Sequence, residues 1–160
     1  MKKDNCLVAI VLGSRSDSDW AVEIGKYCQE FGLARDIRIA SAHKSPKYVL
    51  QIIREYEKAN KNLVFIAVAG RSNALGGFID ANTYFPVINC PPPSDKYGGL
   101  DILSSLRMPS GVGPATVLEA DQAAILAAKI LALNDQNLRQ KIKNYHKDVV
   151  KKIISDDRSL

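Results

Sequence analysis

Apolar positions along this chain fall into short unbroken runs separated by amphipathic stretches. Leu7 to Leu12 is one continuous apolar run, and Leu63 to Ala69 is a second, rich in β-branched and aromatic residues. Runs of this length predict strands, and strands apolar on both sides need cover on both faces. Trp20, Ile24, Tyr27 and Phe31 recur at helical spacing between them, as do Val49, Ile52, Ile53 and Tyr56. Asp36-Ile-Arg-Ile-Ala alternates polar and apolar like a half-buried strand. Ser45-Pro46 opens the helix that follows, because serine caps the first turn and proline fits inside it.

Further along, Pro86-Val-Ile-Asn predicts a fourth strand that ends in the stiff "CPPPSD". "MPSGVGP" predicts a loop, and Ala115-Thr-Val-Leu a fifth, short strand. Strand and helix alternate throughout, which predicts an α/β domain with a parallel sheet and helices on both faces. The stretch "ADQAAILAAKILAL", Ala120 to Leu133, carries Lys129 as its only charge after Asp121. A helix apolar all round must be buried all round, and in a chain this small part of that cover is expected from another subunit. Leu138, Ile142, Tyr145, Val149 and Ile153 mark one stripe of a last amphipathic helix.

Composition narrows the class. The 160 residues predict a single domain, 1–160, and the 46% hydrophobic content is enough for a core. The net charge of +5 has no stripe of basic residues interleaved with aromatics behind it, so a nucleic-acid partner is not expected. Arg139 to Lys152, the densest basic stretch, reads as the wet face of the last helix, and the field as a whole favours a small anionic substrate. Two lysines precede the first apolar run, as in a signal peptide. That run is only eight residues from Cys6 to Gly13, follows Asp4, and leads into "SRSDSD" rather than a cleavage site, so it predicts a first strand. No segment approaches the length of a membrane span. Cys6, Cys28 and Cys90 are odd in number and lack CxxC spacing, which predicts neither a disulfide framework nor a zinc site, and a reducing cytoplasm.

Three polar loops follow predicted strands, where open parallel sheets bind ligands. "GSRSDSD" from Gly13 offers hydroxyls and free backbone N–H groups at a helix N-terminus, suited to a phosphate; Ser16, Asp17 and Ser18 are equally good capping residues. A carboxylate at Asp17 would instead suit ribose hydroxyls. "SAHKSP" from Ser41 carries His43, an imidazole suited to act as a base, and Lys44, a cation beside it. His146 reads as a solvent-facing helix residue. In "AGRSNALGG" from Ala69, the glycines permit close backbone approach to a ligand, and Arg71 supplies a planar fork for a carboxylate or phosphate, or else a structural ion pair. Asn82 and "SSLRMPSG" from Ser104 are candidates for a pocket wall or subunit contact, with a structural role the simpler reading.

Together, "GSRSD", "SAHK", "AGRSNALGG", "PVINCPPPSD" and "DILSSLRMPSGVGPATVL" resemble the phosphoribosylaminoimidazole carboxylase catalytic-subunit family of purine biosynthesis, over about Val8 to Leu133. The resemblance implies a three-layer flavodoxin-like fold with C-terminal helices, a homo-octamer or tetramer, and 5-aminoimidazole ribonucleotide as substrate. The family's substrate contacts fall on Ser14 and Asp17, on Ser41 and Lys44, and on Gly70 and Ser72; its catalytic histidine falls on His43. Two classes exist in that family. The mutase class carries Arg after SAH, a GGAAH-like third loop and Gln before the later Met-Pro, with Trp where Ser18 stands here. Lys44, "GRSNAL" and Arg107 match the second class, which uses carbon dioxide directly, without ATP, biotin, metal or other cofactor; a fused synthetase domain is not expected here. Arg71 then becomes a candidate for the carboxylate or carbon dioxide pocket. The aminoimidazole ring is an enamine-like nucleophile whose C4 can attack carbon dioxide, after which a base must remove the C4 proton. Two other functions stand beside this one: a mutase acting on the N-carboxy isomer, and a nonenzymatic nucleotide-binding module that would need the phosphate site but not His43.

Overall fold

The computed structural model describes residues 6–59 and 62–160. The lysines and Asp4 ahead of the first strand lie outside the described residues. Five strands form one parallel sheet in the order β2-β1-β3-β4-β5: β1 Cys6–Leu12, β2 Ala34–Ile39, β3 Asn62–Val68, β4 Val87–Asn89 and β5 Ala115–Thr116. This is the predicted flavodoxin-like arrangement. Six helices connect or follow the strands: α1 Ser18–Glu30, α2 Pro46–Ala59, α3 Leu75–Asp80, α4 Leu103–Leu106, α5 Ala120–Leu131 and α6 Gln136–Asp157.

The two-residue period of a strand divides the core. Val8, Ile10 and Leu12 of β1 and Val64, Ile66 and Val68 of β3 face α1, α5 and α6. Ala9, Val11, Leu63, Phe65 and Ala67 face α2 and α3, where Val49, Ile52, Ile53 and Tyr56 are all buried. Both faces of β1 and β3 are thus covered, as their apolar runs require. β2 is an edge strand, and α2 shields it with polar contacts. The Tyr56 hydroxyl donates to Asp36 Oδ2 at 2.5 Å, and the Arg38 guanidinium donates to Glu55 Oε2 and the Tyr48 hydroxyl, each at 3.2 Å. Charged and bonded side chains on an edge discourage pairing with another sheet.

The last two helices are covered only in part by their own chain. On α5, Ala120, Ala123, Ala124, Ala127 and Ala128 are buried, and the small side chains let it seat directly against α1 and the sheet, with Leu138 and Ile142 of α6 in the same core. Ile125, Leu126 and Ile130 stay only partly buried and Leu133 is 72% exposed, so part of its apolar surface is left uncovered within the chain. The α6 stripe is only half used. Leu138 and Ile142 are buried and Tyr145 packs on Phe31, with ring centroids 5.2 Å apart, but Val149 and Ile153 are 41% and 63% exposed. No described helix is long and apolar enough to cross a membrane. Cys6, Cys28 and Cys90 are buried, and burial pushes the Cys28 and Cys90 thiols up to about 12.

Candidate active site

The chain leaves β1 for β2 on one side, and β3 lies on the other, so loops at the carboxyl ends of β1 and β3 diverge and open a crevice. A cleft of about 980 Å³ occupies that position. Ser14, Asp17, Ser41, His43, Lys44, Gly70, Arg71 and Ser72, the eight residues singled out in sequence, all line it.

The first loop is organised by its own hydroxyls. Ser14 Oγ accepts from the Ser16 amide at 3.3 Å and lies 3.0 Å from Ser16 Oγ, while Ser18 Oγ donates to Arg15 O at 2.6 Å. Ser14 therefore caps the single 3-10 turn Arg15–Asp17. Asp17 sits at the N-cap position of α1 yet makes no capping hydrogen bond there. Its carboxylate, 3.2 Å from Ser16 Oγ, is left at the cleft wall, and the capping explanation fails for this residue.

The second loop is a closed turn. The Ser45 amide donates to Ser41 O at 2.8 Å, the Ser41 amide to Ser45 Oγ at 3.0 Å, and the Lys44 amide to Ser41 Oγ at 3.3 Å. These bonds hold the backbone on both sides of His43. Pro46 then starts α2 as expected. Among the described residues, none hydrogen-bonds or ion-pairs with the His43 imidazole or the Lys44 ammonium, so both groups remain available to a ligand. His146 is exposed on α6, as expected.

The third loop is tied from outside. The Arg71 amide donates to Asp101 Oδ2 at 3.2 Å, and the Asn73 amide to Ser104 Oγ at 2.9 Å. Buried Asn73 and Ser105 share a further bond, Nδ2 to Oγ, at 2.9 Å. Among the described residues Arg71 has no salt bridge, so its guanidinium is not a structural ion pair. The glycines of "AGRSNALGG" serve different ends. A Cβ on Gly70 would meet only Pro92, at 3.6 Å, which leaves its backbone open to a ligand. One on Gly76 would lie 1.6 Å from Asn89 Oδ1, and one on Gly77 2.9 Å from Met108 Sδ, so these two allow close approach of the protein rather than of a ligand. Asn82 and Ser104 are structural as well: Asn82 Nδ2 donates to Phe78 O at 2.8 Å and closes α3.

A fourth wall escaped the sequence reading. Pro92, Pro93, Ser94, Asp95 and Lys96, which follow β4, line the same cleft, as does Asp101. "CPPPSD" occupies a strand end just as the first three loops do, and that rule alone would have placed it. The cleft thus combines His43, Lys44, Arg71 and Lys96 with three carboxylates. Such a set can neutralise an anion, accept hydrogen bonds from hydroxyls and move one proton. Among the described residues, no group of three or more His, Cys, Asp or Glu converges as a metal site.

Comparison with known proteins identifies the family and the fold. A family model described as AIR carboxylase matches residues 7–152. The chain is similar to a phosphoribosylaminoimidazole carboxylase of Archaeoglobus fulgidus, 52% identical over 151 residues, covering 94% of this chain and 83% of that one. It is 47% identical over 154 residues to one of Treponema denticola, covering 96% and 97%. A bifunctional phosphoribosylaminoimidazole carboxylase/phosphoribosylaminoimidazole succinocarboxamide synthetase of Drosophila melanogaster is 48% identical over 134 residues, which are 84% of this chain but 31% of that protein. The crystal structure of Treponema denticola PurE superposes with a TM-score of 0.94 at 47% identity, covering 96% of this chain and 98% of that one.

Proposed function

This chain belongs to the AIR carboxylase family, and from that premise we propose that its cleft carboxylates 5-aminoimidazole ribonucleotide at C4 with free carbon dioxide. Carboxylation of this ribonucleotide in purine biosynthesis is the family's activity; direct use of carbon dioxide and the residue roles are our reading. It is supported chiefly by the convergence of His43, Lys44 and Arg71 with the Ser14, Asp17, Ser41, Gly70 and Ser72 groups on one cleft at the sheet's switch point.

In this mechanism the ribonucleotide phosphate lies against the first two loops, where Ser14, Ser41 and Lys44 offer donors and a cation. Asp17 accepts from ribose hydroxyls. The exocyclic amine pushes electron density into the ring, and C4 forms a carbon–carbon bond to carbon dioxide while one C–O π pair moves to oxygen. Arg71 stabilises the carboxylate as it develops. C4 is then tetrahedral and still holds its proton. The His43 imidazole takes that proton, and the C–H electron pair returns to the ring and restores aromaticity. Atoms and charge balance without ATP, biotin, a metal or another cofactor. Lys44, the "GRSNAL" loop and Arg107 favour this class over the mutase.

We further propose that the chain works as a single domain within a homo-octamer or tetramer, in a reducing cytoplasm that suits its three buried thiols. Exposed Leu100, Leu103 and Leu106 beside the cleft support the assembly. The test of the reaction is direct. Purified protein given the ribonucleotide and dissolved carbon dioxide should form the C4-carboxylate with no ATP, and enzymatic removal of free carbon dioxide should stop it. Undiminished conversion of the N-carboxy isomer under that trap would make the enzyme a mutase instead. Binding without any turnover would leave only a nucleotide-binding module.

A further inference from the structure

Two stretches of left-handed backbone border the cleft. Arg71 has φ of 57°, a conformation that a non-glycine residue keeps only when its surroundings hold it. Tyr97, Gly98 and Gly99 follow one another at 51°, 62° and 81°. The turn they make returns the chain toward β3 and sets Asp101, which is 30 residues beyond Arg71, against the Arg71 amide at 3.2 Å. Ser104 holds the other side of the same residue: its Oγ lies 2.8 Å from Arg71 O and 2.7 Å from Asp101 O, and accepts from the Asn73 amide at 2.9 Å. One hydroxyl proton serves either carbonyl. Both backbone groups of Arg71 are therefore fixed by the segment 101–104, while the guanidinium is left to the cleft.

We propose that Asp101, backed by Ser104, is a positioning residue that locks Arg71 in its left-handed conformation and so aims the guanidinium at the developing carboxylate. The inference rests on the carboxylase reading above. What Asp101 supplies is an acceptor oxygen at a fixed place. Asn at 101 keeps that oxygen, Ala removes it, and Glu keeps the charge but moves it by one methylene. Released from the clamp, Arg71 relaxes toward ordinary φ values and its side chain leaves the reacting centre, a displacement that at the ångström scale costs up to about 100-fold in rate.

The experiment compares Asp101→Ala, Asp101→Asn and Asp101→Glu by steady-state kinetics and by residue-resolved hydrogen exchange of the Arg71 amide. In Asp101→Ala the amide should exchange at least about tenfold faster and kcat should fall roughly 10- to 100-fold, with KM for the ribonucleotide within about threefold. Asp101→Asn should stay within about threefold of the wild type in both measurements, and Asp101→Glu should fall below it. Adding Asp101→Ala to Arg71→Ala should slow turnover no further, because the clamp acts through Arg71. An Arg71 amide as protected in Asp101→Ala as in the wild type would overturn the proposal. So would equal losses in the Ala and Asn variants, or additive losses in the double variant. Should Asp101→Ala not fold, the order of Asn above Glu decides. A wild-type protein without turnover would sink the carboxylase reading, and the exchange data would still judge the clamp.

Discussion

His43 owes its availability to its neighbours' hydrogen bonds. Ser41, Lys44 and Ser45 satisfy one another through backbone and hydroxyl groups, which fixes the turn without engaging the imidazole. His43→Asn should therefore leave the turn and the ribonucleotide affinity within about tenfold of the wild type, while turnover falls by at least about 100-fold, the scale of a lost general base. Calorimetry and steady-state rates check this together, and near-normal turnover would remove His43 from the mechanism. The eight cleft residues were legible in sequence because each sits just past a strand that its pattern announces, an apolar run for β1 and β3 and a polar–apolar alternation for β2. Asp101 was not. It reaches Arg71 through a turn whose left-handed residues include Tyr97, a side chain that gives no sequence signal for such a conformation.

At the scale of elements, the glycines after β3 separate a site from a scaffold. Strand and helix positions followed from periodicity, but the sequence could not say which glycine faces a ligand and which faces protein, since both demands read simply as the absence of a side chain. α3 packs so closely on β4 that Gly76 touches Asn89, which is fully buried and bonded through Nδ2 to Ser105 O and Thr116 Oγ1 at 3.3 and 3.4 Å. A methyl there must displace a buried amide. Gly76→Ala should destabilise the protein by about 1–3 kcal/mol or more, lowering the melting temperature by about 2–4 °C for each kcal/mol. Gly70→Ala meets only Pro92 at ordinary contact distance, so its melting temperature should stay unchanged while ribonucleotide affinity weakens. Scanning calorimetry and titration of both variants distinguish the two roles; a stable Gly76→Ala would show that α3 can lift from the sheet at little cost. On α5 the two demands divide by size: its alanines seat it against α1 and the sheet, while Ile125, Leu126 and Ile130 stay half-buried and Leu133 is 72% exposed.

For the whole molecule, the segment that walls the cleft adds a second apolar surface to the one α5 leaves part-covered. Tyr97, Leu100, Leu103 and Leu106 are 87%, 63%, 56% and 56% exposed, all within ten residues of chain. Scattered surface leucines need no explanation, but four large apolar side chains exposed within one short segment point to an interaction surface. Arg71 and Ser72 share a second cavity of about 780 Å³ with Tyr97 and Leu100, so whatever covers these side chains also borders the catalytic groups. A closed, symmetric homo-oligomer satisfies both conditions, since each copy offers the same patch and the same cleft. Light scattering at micromolar concentration should report several times the 17.5 kDa of one chain. Leu103→Asp combined with Leu106→Asp should shift that mass toward the monomer, because burying two carboxylates in an apolar contact is strongly unfavourable. Turnover should fall along with the mass, and circular dichroism should stay unchanged, because neither leucine belongs to the buried core of the chain. A wild-type monomer would remove the oligomer from the proposal, and a double variant of unchanged mass would move the interface elsewhere, toward the exposed second half of α6.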